Sequence, residues 1–586
     1  NVGLVALRLA RSPVGLATAL AALISSRAFI DFSTSGLENP LTFTCIAIFA
    51  LIWLREGTAK STPTTTPSRV DTSVSSGQNL DAQPQSVQDH ESHRSPRREG
   101  ARPPLWLLSL VVGLAMFNRM DTLLLFVPAM VWALWSQPKW SWRVVLEAGV
   151  GAVFVVGWMV FSLVYYGFPF PNTAYAKLGM VVPKVDLAAQ GLAYLRHTFH
   201  DDPITLVVIS VVLVGVWLIP HAKAKHRALA LGALVYLFYV IRIGGDFMGG
   251  RFLAAPFFVV VCVAVTLIPA KWPRLWVLPP VLVVLGLLSQ HPNLAFGSHF
   301  AFDTDAISKD RVTDERKFYT NGTALRYAKD LASWPAHGWA QTGRNVRAAG
   351  REKVIERITI GMFGYFAGPN VFIVDPVGLG DPLLSRLPTL ETTDVTVGHF
   401  RRRIPPGYIE GLKSGSMNLA EPGVAEFYSH IERITRGPLF TAERWRSIWL
   451  ANTGGLRGLI PISDYRYAEA RTVPEKRWST PRRDGAPWNR RTITIKSHGA
   501  CLVFSTLRTG STIEMSADSN DAYTVQMIRG DEVVGVHTRR PHRRVGLFTT
   551  QFEVPPTVQT EGVDRICVFP GVGDGLHSVG HLILKP

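Results

Sequence analysis

Four cysteines in 586 residues are too few for a disulfide scaffold or a zinc cluster. No His/Cys spacing of a metal site occurs either. The glycines of Gly378-Leu-Gly-Asp381 lack the Gly-Lys-Ser/Thr ending of a phosphate loop. The net charge of +17 would suit nucleic acid, yet no RNA- or DNA-binding signature accompanies it. Residues 290–586 contain no apolar run of the ~20 residues a membrane-spanning helix needs. The chain opens on Asn-Val-Gly without a Met, a charged leader or a cleavage signal. Residues 1–8 read as the tail of a span already under way, so the expectation is a chain truncated at its N-terminus.

What is present is concentrated in the first half. Hydrophobic residues make up 47% of the chain, and the long apolar runs lie near 13–29, 40–54, 105–117, 122–136, 144–166, 204–220, 226–242, 252–270 and 275–289. Basic clusters separate them: Arg8 and Arg11; Arg55 to Arg102; Lys139 and Arg143; His221 to Arg227; Lys271 and Arg274. Placing every cluster on the cytoplasmic side makes the segments alternate, as the positive-inside rule asks. The polar break Asn118-Arg119-Met120-Asp121 must then divide 105–136 into two short helices, because a single span would reverse every later loop. Residues 56–104, rich in Ser, Thr, Pro, Gln and Arg, read as a disordered cytoplasmic insert.

This topology turns four loops outward: Asp31 to Asn39, Asn118 to Asp121, Tyr165 to Lys177, and Arg242 to Arg251. They carry the cations Arg119, Lys177, Arg242 and Arg251 and the anions Asp31, Glu38, Asp121 and Asp246. Arginine forks match phosphate oxygens, and carboxylates beside them orient hydroxyls or take protons. The expected site is a pocket at the outer boundary with these four cations on a lipid-linked phosphate. Glu38, Asn39, Asp121 and Asn172 would contact substrate, and Asp246 is the candidate at the reacting carbon. Each residue also has a plain structural reading. Arg119–Asp121 would close a helix hairpin, Glu38 would cap the helix from Pro40, Asp246–Arg251 would brace a turn, and Asn172 and Lys177 would sit on a surface helix.

The motifs Phe32-Ser-Thr-Ser-Gly-Leu-Glu-Asn39, Ile241-Arg-Ile-Gly-Gly-Asp-Phe-Met-Gly-Gly-Arg251, Asp314-Glu-Arg-Lys-Phe-Tyr319 and Val374-Asp-Pro-Val-Gly-Leu-Gly-Asp-Pro382 resemble the terminal β-(1→2)-arabinofuranosyltransferase family of mycobacteria and corynebacteria, usually called AftB. Pro171-Asn-Thr-Ala-Tyr-Ala-Lys177 looks like the matching loop of related polyprenyl-phosphate sugar transferases. The likeness runs from about residue 1 to about residue 470. It implies a GT-C fold, decaprenyl-phosphoryl-arabinofuranose as donor, and arabinan of arabinogalactan or lipoarabinomannan as acceptor. It also implies an acidic base in the first outward loop, which would lie before residue 1.

The expected architecture is therefore a polytopic α-helical membrane domain (1–290), a periplasmic α/β domain (291–489) and a β-sandwich (490–586). Strand-like runs at 492–496, 523–528, 531–536 and 565–569 support the last. Asp375, Asp381 and His399 follow apolar runs and are candidates for acceptor contact, with turn and cap roles as the alternative. Cys501 and Cys567 both fall in this region, where a disulfide is one of two readings; Cys45 and Cys262 lie in apolar segments. The expected function is transfer of an arabinofuranosyl residue from the lipid donor to cell-wall arabinan at the outer face of the plasma membrane. Its partners are donor, arabinan and membrane lipids, with no nucleic acid. No cofactor is implied, and the outward carboxylates leave a divalent cation open. The rivals are a polyprenyl-phosphate mannosyltransferase or another GT-C enzyme, a lipid-glycan transporter, and a non-catalytic glycan-binding scaffold. The transporter lacks an inverted repeat and polar residues along the whole path.

Overall fold

A computed structural model describes residues 8–54, 103–178, 184–269, 272–289, 311–328, 330–350, 353–390, 397–461, 465, 471–487, 492–495, 499–530, 532–541, 546–570 and 577–586. The proposed insert therefore lies almost wholly outside the described residues. The first half is helical. One helix among the described residues, Ala224–Arg242, is long and apolar enough to cross a membrane, and up to four spans result if three bent pairs each count as one. Shorter apolar helices are Asn39–Leu54, Leu105–Asn118, Met120–Trp135, Ala254–Leu267 and Pro273–Leu287.

The bends have local causes. Pro13–Ser25 and Arg27–Ser33 meet at 74°, and Leu187–Asp201 and Pro203–Leu218 at 110°. Ser26 leaves the helical region and its Oγ accepts from the Phe29 N–H, starting a new helix. Pro203 sits at the first position of the helix it opens, where its missing N–H costs nothing. The two bends are bonded to each other: the Asp202 carboxylate accepts from the Ala28 N–H at 2.8 Å, and the Ser26 and Thr205 hydroxyls lie 2.6 Å apart. At a separate break, after Leu105–Asn118, Arg119 is extended and a single 3-10 turn, Met120–Thr122, leads into Leu123–Trp135. The two-helix reading of 105–136 thus matches the geometry.

Small residues let these helices touch backbone to backbone. A Cβ built on Gly232 would stand 2.0 Å from the Leu125 carbonyl oxygen, and one on Gly151 would stand 1.9 Å from that of Ser109. Gly232→Ala is therefore expected to destabilise the bundle by about 1–3 kcal/mol through overpacking. A lowered melting temperature of the detergent-solubilised protein would register it, and an unchanged one would show that the Leu123–Trp135 helix yields.

Beyond the bundle, residues 311–461 are mostly helical. Their strands, among the described residues, are one parallel pair, β1 (Val354–Glu356) and β2 (Phe372–Val374). Val374, Leu383, Leu384, Tyr408, Phe427 and Ile431 fill a core of their own. This unit is clamped to the helices below it. The buried Arg444 donates to the carbonyls of Val164 and Tyr165 at 2.9 and 3.0 Å, and Asn452 donates to that of Gly167 at 2.9 Å.

Among the described residues the C-terminal unit has nine strands: β3 (Arg471–Val473), β4 (Ile493–Thr494), β5 (Ala500–Arg508), β6 (Thr512–Asp518), β7 (Tyr523–Arg529), β8 (Glu532–Arg539), β9 (Leu547–Glu553), β10 (Val563–Pro570) and β11 (Ser578–Lys585). They form a five-stranded sheet, β3-β5-β10-β7-β8, and a four-stranded sheet, β4-β11-β6-β9. Leu502, Val525 and Val568 from the first and Ile513, Met515 and Leu582 from the second share one core. That core also takes in Val473 and Trp478, so the unit begins ahead of the boundary expected at residue 490. Cys501 and Cys567, directly opposed on β5 and β10, form a disulfide. They are 66 positions apart in the chain, for which the loop-closure model gives about 4 kcal/mol of stabilisation.

Candidate active site

The loops read as outward from the sequence meet at one end of the bundle. Glu38, just ahead of the Asn39–Leu54 helix, sends its carboxylate to two guanidiniums rather than to its own helix end. It accepts from Arg119 Nη1 at 2.6 Å and from Arg251 Nη2 at 2.9 and 3.0 Å. Arg119 also grips Asp121 with both arms of its fork, at 2.6 and 2.7 Å, and Tyr236 donates to Asp121 at 3.0 Å. Arg251 Nη1 reaches Asp246 at 3.3 Å. The Asp246 side chain is buried, 4% exposed, and its Oδ1 accepts from the Phe247 N–H. Asn118 donates to the Glu38 carbonyl at 3.0 Å, and Asn39 to the Arg251 carbonyl at 3.4 Å. Arg119 also lies over the Phe252 ring, 4.1 Å from its centroid.

Glycine makes this turn possible. Gly244, Gly245 and Gly250 all have positive φ, and a Cβ on Gly245 would meet the Tyr194 ring at 2.5 Å.

Lys177 faces this network from the helix Asn172–Leu178, with no hydrogen bond or ion pair among the described residues. Burial holds its ammonium below the ordinary lysine value; Asp246 opposes that fall, while Arg251 and Arg119 add to it. His399 adjoins, its ring edge-on to Phe247 at 4.3 Å, and its pKa is lowered by burial and by Lys177.

Other sequence candidates lie elsewhere. Arg242 is exposed at the end of its helix, outside the network. Asn172 accepts from Arg386 at 3.0 Å, at the seam with the 311–461 unit. Asp375, fully buried, braces a turn by accepting from the N–H groups of Val377, Leu379 and Gly380. Asp381 caps a turn at Leu383 and Leu384 and accepts from Tyr408. Burial pushes its carboxyl up to about 6. Both aspartates thus take the turn and cap roles given above as the alternative.

A second cluster went unassigned from sequence. Thr313 pairs with the turn around Met248: the Gly249 N–H donates to the Thr313 carbonyl, and the Thr313 N–H to that of Phe247. This stitch brings Asp314 and Glu315 to the bundle. Asp314 accepts from the buried Arg27 at 2.7 Å and caps its own helix through the Lys317 N–H. Arg316 donates to Asp31 at 2.6 Å. A cavity of about 1090 Å³ opens here, lined by both ion pairs, by Met248 to Gly250 and by Glu315, Tyr319 and Trp334. The dense charge of Asp314-Glu-Arg-Lys was the available signal, but nothing in it names the distant partners Arg27 and Asp31.

No protein-family model matches the chain, and no solved structure does. Two curated proteins do. One is a terminal β-(1→2)-arabinofuranosyltransferase of Corynebacterium glutamicum, 26% identical over 340 residues, 47% of each chain. The other bears the same name in Mycobacterium tuberculosis and is 22% identical over 445 residues, 64% of each chain. The chain spans about half to just under two thirds of the length of these relatives.

Proposed function

Starting from a chain similar to the terminal β-(1→2)-arabinofuranosyltransferases, in an AftB-like family, we propose that it is a membrane enzyme moving arabinofuranose from decaprenyl-phosphoryl-arabinose to cell-wall arabinan. The bent and short apolar helices form a polytopic GT-C-like domain, and the α/β unit and the sandwich stand on the periplasmic side. The disulfide supports that side, since such bonds persist in oxidising compartments.

One observation carries the reading: the half-buried ammonium of Lys177, with no hydrogen bond or ion pair among the described residues, faces a network whose arginines are already held by carboxylates. The network fixes Arg251 in place. Its Nη1 makes, among the described residues, only the 3.3 Å contact to Asp246 and a sulfur contact to Met248, which leaves it donor capacity for an incoming anion. A donor phosphate would then be met by Lys177 and Arg251, and its negative charge would raise the lysine's pKa back toward the ordinary value. Both cations stabilise the polyprenyl phosphate as it departs, in a site of reduced dielectric where fixed charges act most strongly. Asp246, placed at the anomeric centre by the sequence reading, has contacts that fit a positioning role through Arg251.

The test is transfer of labelled arabinose from the lipid donor to an arabinan fragment in membranes holding the full chain. Preferential transfer of mannose from polyprenyl-phosphate mannose would replace the sugar assignment. Absence of transfer from any lipid-linked sugar would favour the scaffold reading.

A further inference from the structure

We infer that Arg402 is a positioning residue of the proposed phosphate site: it holds the helix Asn172–Leu178 by the Ala176 carbonyl, and with Gly398 it sets the place of Lys177 relative to Arg251. The inference rests on the phosphate reading given above and adds what spaces its two cations. Three observations carry it.

The first is where the two cations come from. Arg251 is fixed by Glu38 and Asp246, within the bundle. Lys177 is in no ion pair among the described residues, and its helix is only seven residues long. A helix shorter than about 12–15 residues is marginal alone, so its place is set by what it packs against.

The second is Arg402 itself, which is buried, 3% exposed. One arm of its fork donates to the carbonyls of Val377 and Phe400, and the other to that of Ala176 at 2.5 Å. The Arg402 N–H also donates to the Pro376 carbonyl at 2.7 Å. The guanidinium thus ties the turn after Asp375, its own loop and the residue next to Lys177 into one piece. Burial lowers its pKa to about 10, with Asp375 opposing, so it remains a cation at neutral pH. Hydrogen bonds from an ionised donor are the strong ones, and a lysine ammonium lacks the planar fork that reaches all three carbonyls. Arg386 grips the same helix one turn earlier, donating to Asn172 at 3.0 Å and lying over the Tyr175 ring.

The third is the loop ahead of Arg402. Gly398 has a φ of 87°, and a Cβ there would stand 3.2 and 3.3 Å from Cε and Nζ of Lys177. The lysine tip therefore rests on bare backbone, in a conformation that favours glycine. The same loop also touches the glycine turn. His399 meets the Phe247 ring edge-on at 4.3 Å, and a Cβ on Gly244 would lie 3.2 Å from Val397. Residues 397–402 thus touch both the lysine and the turn that carries Arg251, and they space one from the other.

The experiment titrates polyprenyl phosphate into the full chain in lipid nanodiscs. Arg402→Lys is expected to weaken binding about 10-fold, the loss of one charge-assisted contact. Gly398→Ala crowds the lysine tip without altering Arg402 and is expected to do the same. In a Lys177→Gln background each should change the affinity less than about two-fold, because the contact they serve is already gone. Equal losses in both backgrounds would make the two residues merely structural and overturn the inference, as would full affinity in the single variants. If Arg402→Lys does not fold, Gly398→Ala decides alone. Full affinity in Lys177→Gln itself would instead defeat the phosphate reading, and the positioning role with it.

Discussion

Replacing Lys177 with glutamine is expected to lower arabinose transfer roughly 100-fold, the scale on which one preorganised charge at a leaving group is felt. The loss should appear in the donor KM as well as in kcat, because the ammonium meets the phosphate before and during bond cleavage. Folding should survive. Lys177 is held in no ion pair among the described residues, and burial lowers its pKa, so its removal strands no opposite charge. Arg251→Ala would be a poorer probe. It would leave the buried Asp246 without its partner and take from Glu38 one of its two guanidiniums, and an uncompensated buried charge alone costs about 3–5 kcal/mol. Arg251→Lys keeps the charge and removes the fork. Undiminished transfer in Lys177→Gln, at equal protein level in the membrane, would remove the lysine from the site.

The second large effect concerns stability. Asp314→Ala should destabilise the protein by about 3–5 kcal/mol, since it takes the close partner from a buried arginine. The Arg27 and Asp314 side chains are only 6% and 14% exposed, and their contact at 2.7 Å ties the bend at Ser26 to the 311–461 unit. Asp314 is also a helix N-cap, a role worth about 1 kcal/mol by itself. Asp314→Asn keeps the cap and should therefore cost less by about that amount. Thermal unfolding of the solubilised protein orders the three: wild type, then Asn, then Ala. Coincident melting curves would show that the Arg27 pair is no tie.

Much of the first half was legible in the sequence, because length, apolar content and breaking residues act locally. The break at Asn118–Asp121 followed from charge placement, and the 3-10 turn at Met120–Thr122 sits there. Glu38, Arg119, Asp246 and Arg251 could be named because charge among apolar segments is costly and needs a partner. Who pairs with whom was not legible. The hub is Glu38, bridging two arginines 81 and 213 positions away, and no local pattern specifies such a contact. Arg242 shows the reverse limit: it shares a motif with Asp246, yet helix rotation leaves it exposed. Asp375 and Asp381 looked like site residues because they follow apolar runs, but so do turn braces. The cavity escaped altogether, since its walls come from segments nearly 300 positions apart, joined by the Met248–Thr313 bridge.

The most direct measurement is equilibrium binding of polyprenyl phosphate without its sugar to the full chain in lipid nanodiscs. Tight binding by wild type, with marked weakening in Lys177→Gln and Arg251→Lys, is the expected result. Equal affinity across all three would contradict a phosphate site at the gathered loop ends.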